Sequence, residues 1–195
     1  MKNDVTLYFI RHGQTDWNFE RRIQGQIDID LNDTGREQAA QNALSLHEVR
    51  PDIADLAFVA SPLSRCCETM EIIRACIGLP RDGYTTDDRL KEIHFGAWQG
   101  QHWSDVEKTD PEGAAAHAAD PYAWRPEGGE SYADLMVRIG QWLATVDLDM
   151  VVVSHGGVSR ALRGHILGID VQEMTTLKVP QNKVLVLRKD EMVWI

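Results

Sequence analysis

Apolar residues in this chain recur with two periods, and the alternation between them predicts the architecture. Val5 to Ile10 is a short run of β-branched, aromatic and aliphatic residues that stops at Arg11-His12-Gly13, which reads as a buried strand carrying polar residues at its carboxyl end. From Asp33 to about Val49 the spacing turns helical. Ala39, Ala40, Ala43, Leu44 and Leu46 make the apolar face, Asp33-Thr34 offers a cap and Pro51 ends the run. A second strand, Leu56 to Ala60, meets Ser61-Pro62, where the serine can cap a helix that runs to about Ile77. Ser131 to Val146 is an amphipathic helix through Leu135, Ile139, Trp142 and Leu143. Met150 to Val153 is a further buried strand, ending in Ser154-His155-Gly156-Gly157, and a helix from Val158 to Leu167 follows. The tail from Leu177 to Ile195 predicts hairpin strands around Asn182-Lys183 and Asp190-Glu191.

The stretch from Ile93 to Glu130 has a different texture, with Trp98, Trp103, Trp124, three prolines and an alanine-rich run. It predicts short helices and loops, a lid-like insertion at about residues 93–130 with the tryptophans as its core. Strands alternating with helices predict one α/β domain over residues 1–195. The expected form is a three-layer sandwich, a mostly parallel central sheet flanked by helices, with the insertion over the carboxyl ends of the strands.

Composition narrows the classes of function. With 43% hydrophobic residues in 195, the chain can bury a core. A formal charge of −10 argues against nucleic-acid and anionic-membrane partners. No apolar run approaches the ~20 residues of a membrane span, and the apolar stretch near the amino end is too short for a secretory signal. Cys66, Cys67 and Cys76 show neither zinc-site nor disulfide spacing, which fits reduced thiols in a cytoplasm. A homodimer through a sheet edge or helix face is compatible with all of this.

In open α/β sheets, ligands bind beyond the carboxyl ends of the strands. That rule brings Arg11-His12, Ser61 with Arg65, and Ser154-His155 to one rim, a concentration of positive charge in an acidic protein. Arginine forks match phosphate oxygens, and backbone amides after Gly13 and at Gly156-Gly157 can add donors. A nucleotide-binding glycine-rich loop with its lysine is absent from the sequence. A neutral histidine beside arginines can attack phosphorus if its other ring nitrogen is held, so His12 is the candidate nucleophile. His94, His102 and His117 lack the spacing of metal ligands on one helix face, so no metal is expected. Cys66 and Cys67 follow an arginine, whereas a thiolate phosphatase needs the arginine after its cysteine; both are read as packing residues.

Taken together, Arg11-His12-Gly13-Gln14-Thr15 with Trp17-Asn18, Gln24-Gly25, Ser61-Pro62-Leu63 with Arg65, Glu92 before Phe95-Gly96, and Ser154-His155-Gly156-Gly157 with Arg160 resemble the histidine phosphatase superfamily, also called phosphoglycerate-mutase-like. The resemblance implies two-step phosphoryl transfer through a phosphohistidine, with no metal or other cofactor. It makes His12 the phosphoryl acceptor, with Arg11, Arg65 and His155 holding the oxygens. Asn18 and Gly156 become further phosphate contacts, Gln24 and Gly25 lie near the substrate, and Glu92 is the proton donor. Thr15 is read as holding its loop.

Within the family, the expected activity is phosphomonoester hydrolysis of a small phosphorylated metabolite. A phosphoglycerate mutase is the alternative, and a non-catalytic phosphate-binding relative a third. Mutases carry an arginine directly after the donor glutamate, where this chain has Ile93, and basic residues in the inserted segment, where Lys108 to Glu130 has only Lys108 and Arg125 against Asp110, Glu112, Asp120, Glu127 and Glu130. Those same acidic residues predict a substrate whose remainder is neutral or apolar.

Overall fold

The computed structural model describes residues 1–2 and 4–195. The strands are β1 (Leu7–Arg11), β2 (Ala57–Ala60), β3 (Thr85–Thr86), β4 (Met150–Ser154), β5 (Val184–Arg188) and β6 (Glu191–Trp194). The helices are α1 (Asp16–Phe19), α2 (Asp33–Val49), α3 (Ser64–Cys76), α4 (Trp103–Thr109), α5 (Pro111–Ala119), α6 (Tyr132–Leu143), α7 (Gly156–Leu167) and α8 (Val171–Thr176). All six strands form one sheet in the order β3-β2-β4-β1-β5-β6. The first four run parallel, and β5 and β6 add an antiparallel hairpin, so the sheet is mixed but mostly parallel.

Alternation along β1 divides the core into two. Leu7 and Phe9 join Leu135, Ile139 and Trp142 of α6 and Val158 and Leu162 of α7, while Tyr8 and Ile10 join Ala43 and Leu46 of α2 and Met70 and Ile73 of α3. Helices therefore cover both faces, as the three-layer reading requires. Register then places the chemistry: Arg11 pairs with Ser154 and Ala60 with Val153. The three central strands end at one height and release Arg11-His12, Ser61 and Ser154-His155 side by side.

Local differences from the sequence reading have physical causes. The α2 cap is Asn32, whose side chain accepts from the Gly35 N–H at 2.9 Å. Ser61 does not cap α3, which begins at Ser64 without a side-chain cap; its hydroxyl is engaged with His155 instead. β3 and α8 are too short to mark the sequence pattern, and α8 is held by the Asp170 cap. Strand structure in the tail starts only at Val184, because the carbonyls of Leu177, Lys178, Val179 and Gln181 are taken by side chains from elsewhere in the fold. Between Gly13 and Gly35 two backbones cross in contact: a Cβ on Gly35 would lie 2.1 Å from the Gln14 carbonyl oxygen. Residues 93–130 build a small core of their own, in which Trp98 and Val106 pack on Ile23 with Phe95, Ala114 and Trp124.

Candidate active site

His12 is 3% exposed, and its backbone N–H donates to Ser154 O at 2.9 Å, which fixes it to the end of β4. Its ring Nδ1 lies 2.8 Å from the carbonyl oxygen of Gly13. A carbonyl can only accept, so Nδ1 carries the proton and Nε2 keeps its lone pair. Burial foremost, then the positive charges of Arg65 and Arg11, hold the ring's pKa well below 6.5, and the imidazole is neutral near neutral pH. His155 is fully buried, its ring centroid 5.2 Å from that of His12. Its Nε2 bonds the Ser61 hydroxyl at 2.8 Å, with Cys66 Sγ at 3.4 Å from the same nitrogen. Burial, followed by the charge of Arg65, lowers its pKa in the same sense.

Both arginines are anchored by main chain. Arg11 donates Nη1 to Val179 O at 2.9 Å, and burial lowers its pKa to about 10. Arg65, 1% exposed, donates Nη1 to Ile27 O and Nη2 to Gly25 O at 2.9 and 2.7 Å. The Nε of each is buried with no hydrogen-bond partner among the described residues. An unsatisfied buried donor costs about 1–3 kcal/mol, so both groups favour an incoming oxyanion. Glu92 is held by α7 and by its own neighbour: both carboxylate oxygens accept from the Gly157 N–H at 3.1 Å, and Oε1 also accepts from Ile93 N–H at 2.9 Å.

A cavity of about 320 Å³ opens over these groups. Its lining includes Arg11, Asn18, Gln24, Gly25, Arg65, Glu92 and Gly156, while His12 and His155 are buried and do not line it. Thus the residues singled out from sequence converge. Thr15 caps α1 in a reciprocal pair of bonds with Asn18 and does not line the cavity. The sequence reading missed Arg22 and Tyr132 as lining residues, and assigned Phe95 and Arg160 to motifs without a role. Trp103 is 45% exposed rather than core.

The acidic residues of 93–130 do not face the cavity, which overturns the expectation that they shape a neutral or apolar ligand. Asp110 accepts from the Trp98 indole, Asp120 from Gln172, and Glu130 pairs with Arg138. Four arginines, Arg11, Arg22, Arg65 and Arg160, share the lining with the single carboxylate of Glu92. The histidines of that segment are separately engaged: His94 Nδ1 accepts from Gly96 N–H, His102 Nδ1 lies 3.0 Å from Glu20 O, and His117 packs edge-on to Trp98 and Trp124.

A polar, arginine-rich pocket at the carboxyl ends of parallel strands, with a buried neutral histidine next to its Arg11, defines a site for transfer of an anionic group on an α/β scaffold. Residues 7–195 match the model of the histidine phosphatase superfamily (branch 1). The chain is 37% identical over 183 residues to glucosyl-3-phosphoglycerate phosphatase of Mycolicibacterium vanbaalenii, covering 88% of this chain and 78% of that protein. It is 35% identical over 170 residues to metal-independent phosphoserine phosphatase of Arabidopsis thaliana, covering 83% and 69%. The solved structure of a mycobacterial glucosyl-3-phosphoglycerate phosphatase in complex with VO3 superposes with a TM-score of 0.77 at 30% identity, over 98% of this chain and 97% of that one. The chain belongs to the histidine phosphatase superfamily, as a phosphatase-type member.

Proposed function

We propose that the protein hydrolyses a phosphomonoester in two steps through a phosphohistidine on His12, without a metal. The Nδ1 bond of His12 to Gly13 O carries this reading, because it fixes the tautomer that leaves a neutral Nε2 lone pair unprotonated for attack while the arginines supply the charge. Nε2 bonds to phosphorus as the P–O bond to the alcohol breaks, and protonated Glu92 delivers its proton to the departing oxygen. Such proton transfer contributes about 10²–10⁴ in rate. The resulting carboxylate then takes a proton from water, which attacks phosphorus and breaks the P–N bond. Arg11, Arg65, Asn18, His155 and the Gly156 amide stabilise the equatorial oxygens, and Gln24 and Gly25 border the ester. Residues 93–130, through Ile93, Phe95 and Trp103, act as the cover over this site.

The substrate is a small phosphorylated metabolite that also carries a carboxylate. Arg160 supports this: it lines the cavity, donates to Leu177 O and to the Tyr132 hydroxyl, and pairs with no carboxylate among the described residues. Relatives named for glucosyl-3-phosphoglycerate and for phosphoserine fit the same class. The test compares phosphoserine with phosphoethanolamine, which lacks only the carboxylate, in excess chelator and with a His12→Ala variant. We expect chelator-resistant turnover that favours phosphoserine and disappears in the variant. Turnover surviving in His12→Ala would refute the mechanism, and equal rates on both esters would refute the carboxylate.

A further inference from the structure

Between α8 and β5 the chain passes the cavity in an irregular segment whose carbonyls are gripped one after another. Arg160 Nε donates to Leu177 O at 2.9 Å, Arg163 Nη2 to Lys178 O at 3.1 Å, and Arg11 Nη1 to Val179 O at 2.9 Å. From the other face of the sheet, Asn42 Nδ2 on α2 donates to Gln181 O at 2.9 Å. The backbone of Gln181 is thereby tied to α2, and the segment leading into it to α7 and β1.

Its side chain spends that rigidity on the site. Gln181 Nε2 donates to the His12 carbonyl oxygen and to Asn18 Oδ1, 3.0 Å each. Asn18 Oδ1 also accepts from Thr15 N–H at 3.2 Å. Both lone pairs of that oxygen are engaged, so the amide group Asn18 has left for the cavity is its NH2, a pair of donors. If Oδ1 were released, the amide could rotate and present an acceptor to phosphoryl oxygens, a repulsive arrangement.

We infer that Gln181 is a positioning residue: it orients the Asn18 amide so that its N–H groups meet the phosphoryl oxygens, and it steadies the His12 peptide. This rests on the reading that Asn18 contacts the phosphoryl group. No local sequence signal marks Gln181, which is 169 residues from His12.

Inhibition by orthophosphate reports binding at the phosphoryl site, and a double-mutant cycle separates orientation from general damage. Gln181→Met keeps the length and removes the donor; Gln181→Leu is the second variant should the first lower the thermal midpoint. We expect Asn18→Ala to raise the inhibition constant about tenfold or more, consistent with loss of a charge-assisted bond. Gln181→Met should raise it about three- to tenfold and KM in parallel, with a smaller change in kcat. In the Asn18→Ala background, Gln181→Met should add less than about a twofold change. If Asn18→Ala leaves inhibition unchanged, the reading of Asn18 fails and the inference falls with it. If Asn18→Ala weakens inhibition but Gln181→Met does not, or if the two effects multiply independently, the inference is overturned while Asn18 remains a phosphate contact.

Discussion

A single methyl group placed at Gly157 would test whether Glu92 works as a proton donor from a fixed position. Gly157 is the second residue of α7, and its N–H is bonded to both oxygens of the Glu92 carboxylate. A Cβ there would lie 2.3 Å from Glu92 Oε1 and 3.2 Å from Leu135 Cδ2. Leu135 is fully buried in the core, so the carboxylate is the group that yields. Reaching even 3.0 Å displaces it by about 0.7 Å. Misplacement on this scale costs roughly 10- to 100-fold in rate, or about 1.4–2.7 kcal/mol of transition-state stabilisation. The loss should fall only where the leaving oxygen needs a proton. The assay is kcat/KM, which reports steps up to release of the alcohol and is blind to hydrolysis of the phosphoenzyme. Gly157→Ala should lower kcat/KM for phosphoserine by about 10- to 100-fold, yet for p-nitrophenyl phosphate, whose phenolate leaves unaided, by no more than about threefold. Replacing a helical glycine returns about 0.5–1 kcal/mol of chain entropy, so the thermal midpoint should hardly fall. Equal losses on both esters would place the damage in binding or folding, and unchanged turnover of phosphoserine would remove Glu92 from the donor role.

Three other outcomes follow from the packing. His12 and His155 have pKa values below 6.5 in the folded protein because burial and nearby arginines disfavour the cation, whereas the unfolded chain takes up these protons near 6.5. Stability is therefore complete above that pH and declines as pH falls through it, by up to about 1.4 kcal/mol per pH unit for each histidine; urea unfolding at successively lower pH should show this slope, and a flat profile would contradict the neutral assignments. Ser61→Ala leaves His155 Nε2 with the Cys66 thiol as its remaining partner, which should cost about 1–3 kcal/mol and lower the thermal midpoint by about 2–4 °C per kcal/mol. An unchanged melting curve would show that the hydroxyl contributes nothing to the site. Gly35→Ala drives a Cβ against the Gln14 backbone and should cost about 1–3 kcal/mol while raising KM, because the displaced loop carries Asn18; a melt combined with steady-state kinetics would reveal either effect.

Much of the architecture was legible in the chain because the burial periods of strands and helices are local properties. The run ending at Arg11 and the one ending at Ser154 declared two central strands, and the rule for open sheets then gathered Arg11, His12, Arg65 and His155 at one rim before any contact was known. Glu92, Asn18, Gln24 and Gly25 were reached through ordered motifs and resemblance rather than through periodicity. The same locality misassigned Ser61, since Ser-Pro before a helix reads as a cap, whereas the folded hydroxyl serves His155 from a strand 94 positions away. It also misread the tail at Leu177, where arginines on β1 and α7 take the carbonyls that a strand would have needed.

Sequence by itself determined the order and type of the main elements, the faces they bury and the residue types at the strand ends, because backbone geometry imposes those periods wherever a chain folds. Tertiary structure alone decided which polar groups lose water together and so must bond one another. Asp110, Asp120 and Glu130 found partners outside the cavity, Arg160 kept no carboxylate among the described residues, and Gln181 came to hold Asn18 and His12 across most of the chain's length. Composition does not specify such choices, since each hydrogen-bond partner is selected by packing distance and shared burial, not by separation along the chain.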